Sequence, residues 1–184
     1  MRVIAGSARG TKLKAPKGLS VRPTADRVKE ALFNIINARV IDCVFIDLFA
    51  GSGAVGIEAL SRGAKNAVFV DHNRVNIALI KDNLEKTRLA ERARLLCSDA
   101  GKAIDSLAAE NFKADLFFID PPYDLANVEL LVSRIFAKDL VSPTGLVVVE
   151  HSAKNLIWAE SFPGYRQKKY GDTSLTFITP LGSN

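Results

Sequence analysis

The sequence predicts an α/β fold: a mostly parallel seven-stranded sheet with helices on both faces and an antiparallel C-terminal hairpin. Three observations predict it. Apolar runs at 44–46, 66–70, 93–97, 115–119 and 146–149 alternate with helical patterns at 54–62, 74–88, near 100–110 and at 125–138. That repeat is the βα unit of a sheet covered on both sides. The first run opens onto a glycine loop and the fourth onto a stiff proline turn, both at the strand ends where open α/β sheets bind ligands. Finally, 165–169 and 174–178 flank Gly171-Asp172, a tight hairpin signal.

Before the first strand, residues 2–17 alternate in places around a Gly6–Gly10 break and read as a small hairpin or extended arm. Arg22-Pro23-Thr24 stops it, and Thr24 is a suitable N-cap. In the helix that follows, 25–38, Val28, Ala31, Leu32, Ile35 and Ile36 form one apolar face. Arg27, Lys29 and Glu30 belong to the opposite side. Gly145 opens the fifth strand, and Trp158 is expected to pack under the last helix.

With 184 residues, 48% hydrophobic and 24% charged, the chain has the material for one α/β core. It is expected to be a single domain, 1–184, with a basic arm at 1–23. Residues 1–30 hold eight basic side chains against Asp26 and Glu30, while the rest of the chain carries a net charge of −1. Such a block is the footprint of a polyanion partner, or else a solvated tail. The candidate phosphate-contacting residues are Arg2, Arg9, Lys12, Lys14, Arg22 and Arg27. Cys43 and Cys97 sit in apolar patterns and read as buried, reduced thiols, with no spacing that suggests a metal. No run is long enough to span a membrane and the start lacks a signal-peptide core, so a cytoplasmic protein is expected.

The turn Asp120-Pro121-Pro122-Tyr123 carries the most chemistry. Neither proline has an N–H and both have fixed φ, so the turn is rigid and rich in acceptors. The Asp120 carboxylate and the proline carbonyls suit both hydrogens of a planar amine, and Tyr123 offers a face to a flat ring. The plain alternative is a sharp turn in which Asp120 caps the next helix.

Gly51, Gly53 and Gly56 satisfy the G-x-G-x-x-G spacing, with Asp71 twenty residues after Gly51, so a nicotinamide dehydrogenase is one reading. Asp47 counts against it, because a carboxylate beside the loop repels a pyrophosphate. It suits a ligand carrying ammonium or sulfonium groups. Asp71 and Asp99, ending the next two strands, then suit ribose hydroxyls and an adenine amine; alternatively these acids are helix N-caps.

Together the Asp47–Gly53 loop and the Asp120–Tyr123 turn resemble the class I, Rossmann-like methyltransferases that act on exocyclic amines. The segment 22–34, RPTADRVKEALFN, with the opening 2–6 and the late 170–173, narrows this: the chain resembles the RsmD family of 16S ribosomal RNA guanine-N2 methyltransferases. The resemblance implies S-adenosylmethionine as cofactor and S-adenosylhomocysteine as product. It implies that Asp47, Phe49, Ala50, Gly51, Ser52 and Gly53 cradle the methionine end, that Asp71 binds the ribose, and that Asp99 with Ala100 binds the adenine. Thr24 and Arg27 would approach the cofactor carboxylate or the substrate, and Asp120, Pro121, Pro122 and Tyr123 would hold the guanine. Asp71 stands where relatives often have glutamate, and Tyr123 where phenylalanine is also common. The expected partner is ribosomal RNA or a small-subunit assembly particle, met by a monomer. Rival readings are an adenine-N6 methyltransferase, the dehydrogenase, and a non-catalytic RNA-binding protein.

Overall fold

The computed structural model describes residues 1–16, 23–122, 128–154 and 157–180, with the side chains of 23–25 and 157–158 outside that set. Seven strands form one sheet: β1 (Val44–Asp47), β2 (Asn66–Asp71), β3 (Ala93–Cys97), β4 (Ala114–Ile119), β5 (Val141–Ser152), β6 (Arg166–Tyr170) and β7 (Thr173–Ile178). Their order is β3-β2-β1-β4-β5-β7-β6. The first five are parallel, and β7 runs antiparallel between β5 and β6.

Side chains alternate across a strand, and parallel register keeps paired residues on one face. Phe45, Phe69, Leu116, Phe118 and Val148 therefore share a face, covered by α1 (Pro23–Val40), α2 (Ala54–Ser61) and α3 (Arg74–Thr87). Ile46, Val68, Phe117, Ile119 and Val147 share the other, under α4 (Ala100–Ala109) and α5 (Val128–Ala137). Phe33, Phe45, Phe69 and Phe117 are wholly buried, and each such ring contributes about 1.5–3 kcal/mol relative to exposure. No described helix is long and apolar enough to cross a membrane.

The N-terminal arm is part of the core. Arg2 and Lys12 form an antiparallel bridge, and Val3, Ala8 and Leu13 are buried in the α1–α3 layer. The amides of Ile4 and Ala5 donate to the Glu58 carboxylate at 2.8 and 3.0 Å. Asn83, fully buried, joins arm, helix and glycine loop: its side chain accepts from the Lys14 amide and donates to the Lys14 and Ser52 carbonyls. A Cβ on Gly6 would lie 1.8 Å from the Ser61 carbonyl oxygen, and its φ is +82°, so only glycine fits this turn over α2.

Several expectations change. Helix α1 starts at Pro23, which leaves Thr24 inside the first turn and not at the cap; proline suits that first position because its missing N–H has no helical partner anyway. Its buried stripe includes Phe33, while Ile35 is 38% exposed. Lys29 is on the buried side, because Glu58 supplies a counter-charge that the helical pattern alone does not reveal. Strand β5 begins at Val141 and not at Gly145. Cys43 is buried, with its thiol pushed up to about 12 by burial. Cys97 is exposed, since β3 is an edge strand. Tyr123, Arg22 and the side chains of Thr24 and Trp158 lie outside the described residues.

Candidate active site

Sheet register builds the site. Asp47 pairs with Phe69 of β2 and Phe118 of β4, and Phe118 pairs with Val148 of β5. Asp71, Asp120 and Glu150 each lie two residues beyond one of these partners. By the period of two, Asp47, Asp71, Asp120 and Glu150 all continue the same sheet face at its C-terminal edge. Asp47, Asp120 and Glu150 line one cavity of about 160 Å³, together with Phe49, Ala50, Gly51 and Ser52 of the loop and Asp26 and Lys29 of α1.

The loop after β1 is held from both sides. The Leu48 amide donates to the Phe118 carbonyl and the Ala50 amide to the Val70 carbonyl, both at 2.9 Å. Gly51 and Gly53 take left-handed φ values of 54° and 75°, which L side chains rarely adopt. Gly56 is needed for a different reason: a Cβ there would lie 2.3 Å from the Phe69 ring. This brings α2 against β2 and aims its first turn at Asp47, whose carboxylate accepts from the Gly56 amide at 3.0 Å. One of the free amides that every helix start exposes is thereby satisfied.

Asp47 is 2% exposed. Burial pushes its carboxyl up to about 7, the Gly56 hydrogen bond opposing and the nearby Asp120 and Asp71 charges reinforcing the shift. Asp120 reaches solvent at the rim, yet the protein packed around it raises its carboxyl too. Glu150 is raised to about 8 by burial and by Asp120. Three carboxyls that resist ionisation around one cavity suit a ligand that brings positive charge. Asp26 Oδ1 adds to this: it is buried, with no hydrogen-bond partner among the described residues, beside the same cavity. This set of acceptors fits a ligand bearing ammonium and sulfonium groups and disfavours a pyrophosphate.

The other predicted residues fall outside the cavity walls. Asp71 accepts from the amides of Gly51 and Asn73 and from the Asn76 side chain, at 2.9, 2.8 and 3.0 Å. It braces the glycine loop against β2. Asp99 caps α4, accepting from the Gly101 and Lys102 amides through Oδ1; Ala100 opens that helix. Gly53 is buried in the turn into α2. Pro121 is buried and Pro122 exposed beside Asp120. Arg2, Arg9, Lys12, Lys14 and Arg27 are exposed, and Lys14 pairs with Asp82 at 2.6 Å.

Sequence reasoning missed Glu150, Asp26 and Lys29 as cavity residues. Glu150 had a readable signal, an acid directly after the apolar run 146–149, the same pattern that marks Asp47 and Asp120. Asp26 and Lys29 had none, because the packing angle of α1 over the sheet brings them in.

The family model described as "Conserved hypothetical protein 95" matches residues 1–179. Ribosomal RNA small subunit methyltransferase D of Escherichia coli strain K12 is 37% identical over 156 residues, covering 84% of this chain and 76% of that protein. The solved structure of a hypothetical protein from Thermus thermophilus superposes with a TM-score of 0.84 at 33% identity, over 97% of this chain and 99% of that one. The fold is also shared, at 21% identity and a TM-score of 0.71, with a T. thermophilus 16S rRNA N2 G1207 methyltransferase solved with AdoMet and guanosine, over 89% of this chain and 44% of that one. Match length, identity and superposition agree: the chain belongs to the ribosomal RNA small subunit methyltransferase D family.

Proposed function

We propose that this protein is an S-adenosylmethionine-dependent methyltransferase acting on the exocyclic N2 amine of a guanine in small-subunit ribosomal RNA. The observation that carries the reading is the placement of Asp120, with Pro121 behind it, next to buried Asp47 at the open edge of the sheet. When bound, the cofactor supplies an electrophilic methyl group on a sulfonium. Asp47 and the loop residues Phe49 to Gly53 hold its charged end, and Asp26 is a further acceptor for its ammonium. Asp71 faces the ribose, and Asp99 with Ala100 the adenine.

A guanine amine is a weak nucleophile because its lone pair is delocalised into the ring. Asp120 and the Pro121 carbonyl accept the amine hydrogens and favour the pyramidal geometry that frees that pair. Alignment then supplies much of the acceleration, and the proton released from the amine is held at the Asp120 carboxylate. The base has to leave its stack to reach this edge; Tyr123 offers a stacking face worth about 1–3 kcal/mol. Arg2, Arg9, Lys12, Lys14, Arg22 and Arg27 contact phosphates, which gives affinity with little sequence information. The protein works in the cytoplasm as a monomer, on free ribosomal RNA or an assembling small-subunit particle.

The test is incubation with methyl-labelled cofactor and, in parallel, total RNA, small-subunit particles and DNA. Label at guanine N2 of small-subunit RNA is expected. Label confined to adenine or to DNA overturns the substrate, and no label in any arm overturns the activity.

A further inference from the structure

Glu150 stands in the cavity without a part in the chemistry proposed above. It lies one strand over from Asp120, on the same sheet face, and its partner across β7 is buried Leu175. Among the described residues, no donor is hydrogen-bonded to its carboxyl. Lys29, the lysine on the cavity wall, is committed elsewhere: its ammonium donates to Glu58 Oε2 at 3.0 Å and to the Arg2 carbonyl at 2.8 Å. A half-buried acid beside another acid, with no donor of its own among the described residues, is unfavourable, and a donor brought by a ligand would relieve it.

The strand order gives the acids an order too. Asp47 ends β1 at the cofactor loop, Asp120 directly after β4 follows, and Glu150 on β5 is farthest from the loop. Neighbouring strands are about 4.8 Å apart, roughly the width of a purine's Watson–Crick edge. A base whose exocyclic amine faces Asp120 therefore presents the rest of that edge towards β5. On adenine the position next to the amine is N1, a bare acceptor. On guanine it is N1–H, a donor, followed by the O6 acceptor.

Resting on the proposed methyl transfer to an exocyclic amine, we propose that Glu150 is the base-selecting residue: its carboxyl accepts the N1–H of guanine while Asp120 takes the N2 amine, and adenine, with no N1–H and no O6, makes at most one hydrogen bond to it. The carboxyl accepts this hydrogen bond in either protonation state. In its acid form, which burial and the neighbouring Asp120 favour, its hydroxyl also donates to O6. Acceptor and donor then lie side by side, the complement of the guanine N1–H/O6 pair. Glutamine presents the same pattern and leucine presents neither group.

The test compares the methylated RNA with the same RNA carrying 2-aminopurine at the target position, which keeps the N2 amine but lacks N1–H and O6. Wild type is expected to prefer guanine by roughly 10- to 100-fold in kcat/KM, the discrimination of one bidentate base contact. Glu150→Gln is expected to keep that preference. Glu150→Leu is expected to bring the ratio close to one, by losing guanine and not by gaining turnover on the analogue. Far-ultraviolet circular dichroism and a cooperative thermal melt, alike in all three proteins, report an intact fold. A Glu150→Leu protein that keeps the wild-type ratio, or that is inactive on both RNAs, overturns the assignment while guanine methylation by the wild type stands. Failure of the wild type to methylate either RNA overturns the proposed function, and this inference with it.

Discussion

The Lys29 ammonium lies 3.0 Å from Glu58 Oε2, with 4% of one side chain and none of the other exposed. The same carboxylate accepts from Arg62 Nε at 2.7 Å and from the amides of Ile4 and Ala5. The Arg62 guanidinium in turn lies over the Phe33 ring, 4.8 Å from its centre. One buried acid thus fastens the arm, α1 and α2 together beside the cavity.

Breaking that pair is expected to be costly. Glu58→Ala strands a buried ammonium and two amides, and loss of one partner of a buried pair costs about 3–5 kcal/mol. Thermal melting should shift down on the order of 10 °C. Lys29→Met with Glu58→Gln should recover part of the loss, since the glutamine oxygen still accepts from an arm amide. A melting temperature unchanged in Glu58→Ala would show that the arm is held by apolar contacts alone.

Asp120→Ala should cut turnover roughly 100-fold or more, as loss of a preorganised polar partner does. Affinity for S-adenosylhomocysteine should change little, because Asp47 and the loop are untouched. Single-turnover kinetics with parallel calorimetry separates the two effects. Near-wild-type turnover would remove Asp120 from the chemistry.

Asp47 makes cofactor binding and stability respond to pH in opposite directions. Its carboxyl is raised from an ordinary 3.8 to about 7, so the folded chain binds this proton more tightly than the unfolded chain. Its contribution to stability is full below about pH 4, declines as pH rises towards 7, and is constant above. Without ligand, Asp47→Asn should therefore melt higher than wild type at pH 8, with the gain shrinking towards pH 4. Binding of the cationic cofactor needs the charged carboxylate, so wild-type affinity should fall below pH 7 by at most about tenfold per pH unit. Glu58, whose carboxyl is lowered chiefly by Lys29 against its own burial, acts the other way: it stabilises above its ordinary 4.5 and this support is lost as pH falls. Cofactor affinity independent of pH from 6 to 8 would contradict the role given to Asp47.

RNA affinity is best tested by substitution, because deleting the arm would remove Val3, Ala8 and Leu13 from the core. Arg9→Glu with Lys12→Glu, both at exposed positions, should weaken RNA binding and reduce the salt dependence by about 0.7 per lost phosphate contact for single-stranded RNA. Melting temperature should stay near wild type. An unchanged salt slope would place the phosphate grip elsewhere.

Much of this molecule was legible in one dimension. The alternation of apolar runs with helical stripes gave five parallel strands and the closing hairpin, and acids immediately after buried runs marked Asp47, Asp71 and Asp120. These signals are local, set by period and by turn chemistry, so they survive reading without a fold. What the tertiary structure alone decided is long-range. Lys29 reads as a solvated helix charge until Glu58, 29 positions away, meets it. The basic arm reads as a tail until Glu58 and Asn83 accept its backbone amides. The grouping of Asp47 with Glu150 depends on which strands are neighbours and in what register, because the two residues are far apart in the chain and only strand pairing brings them to one edge of the sheet.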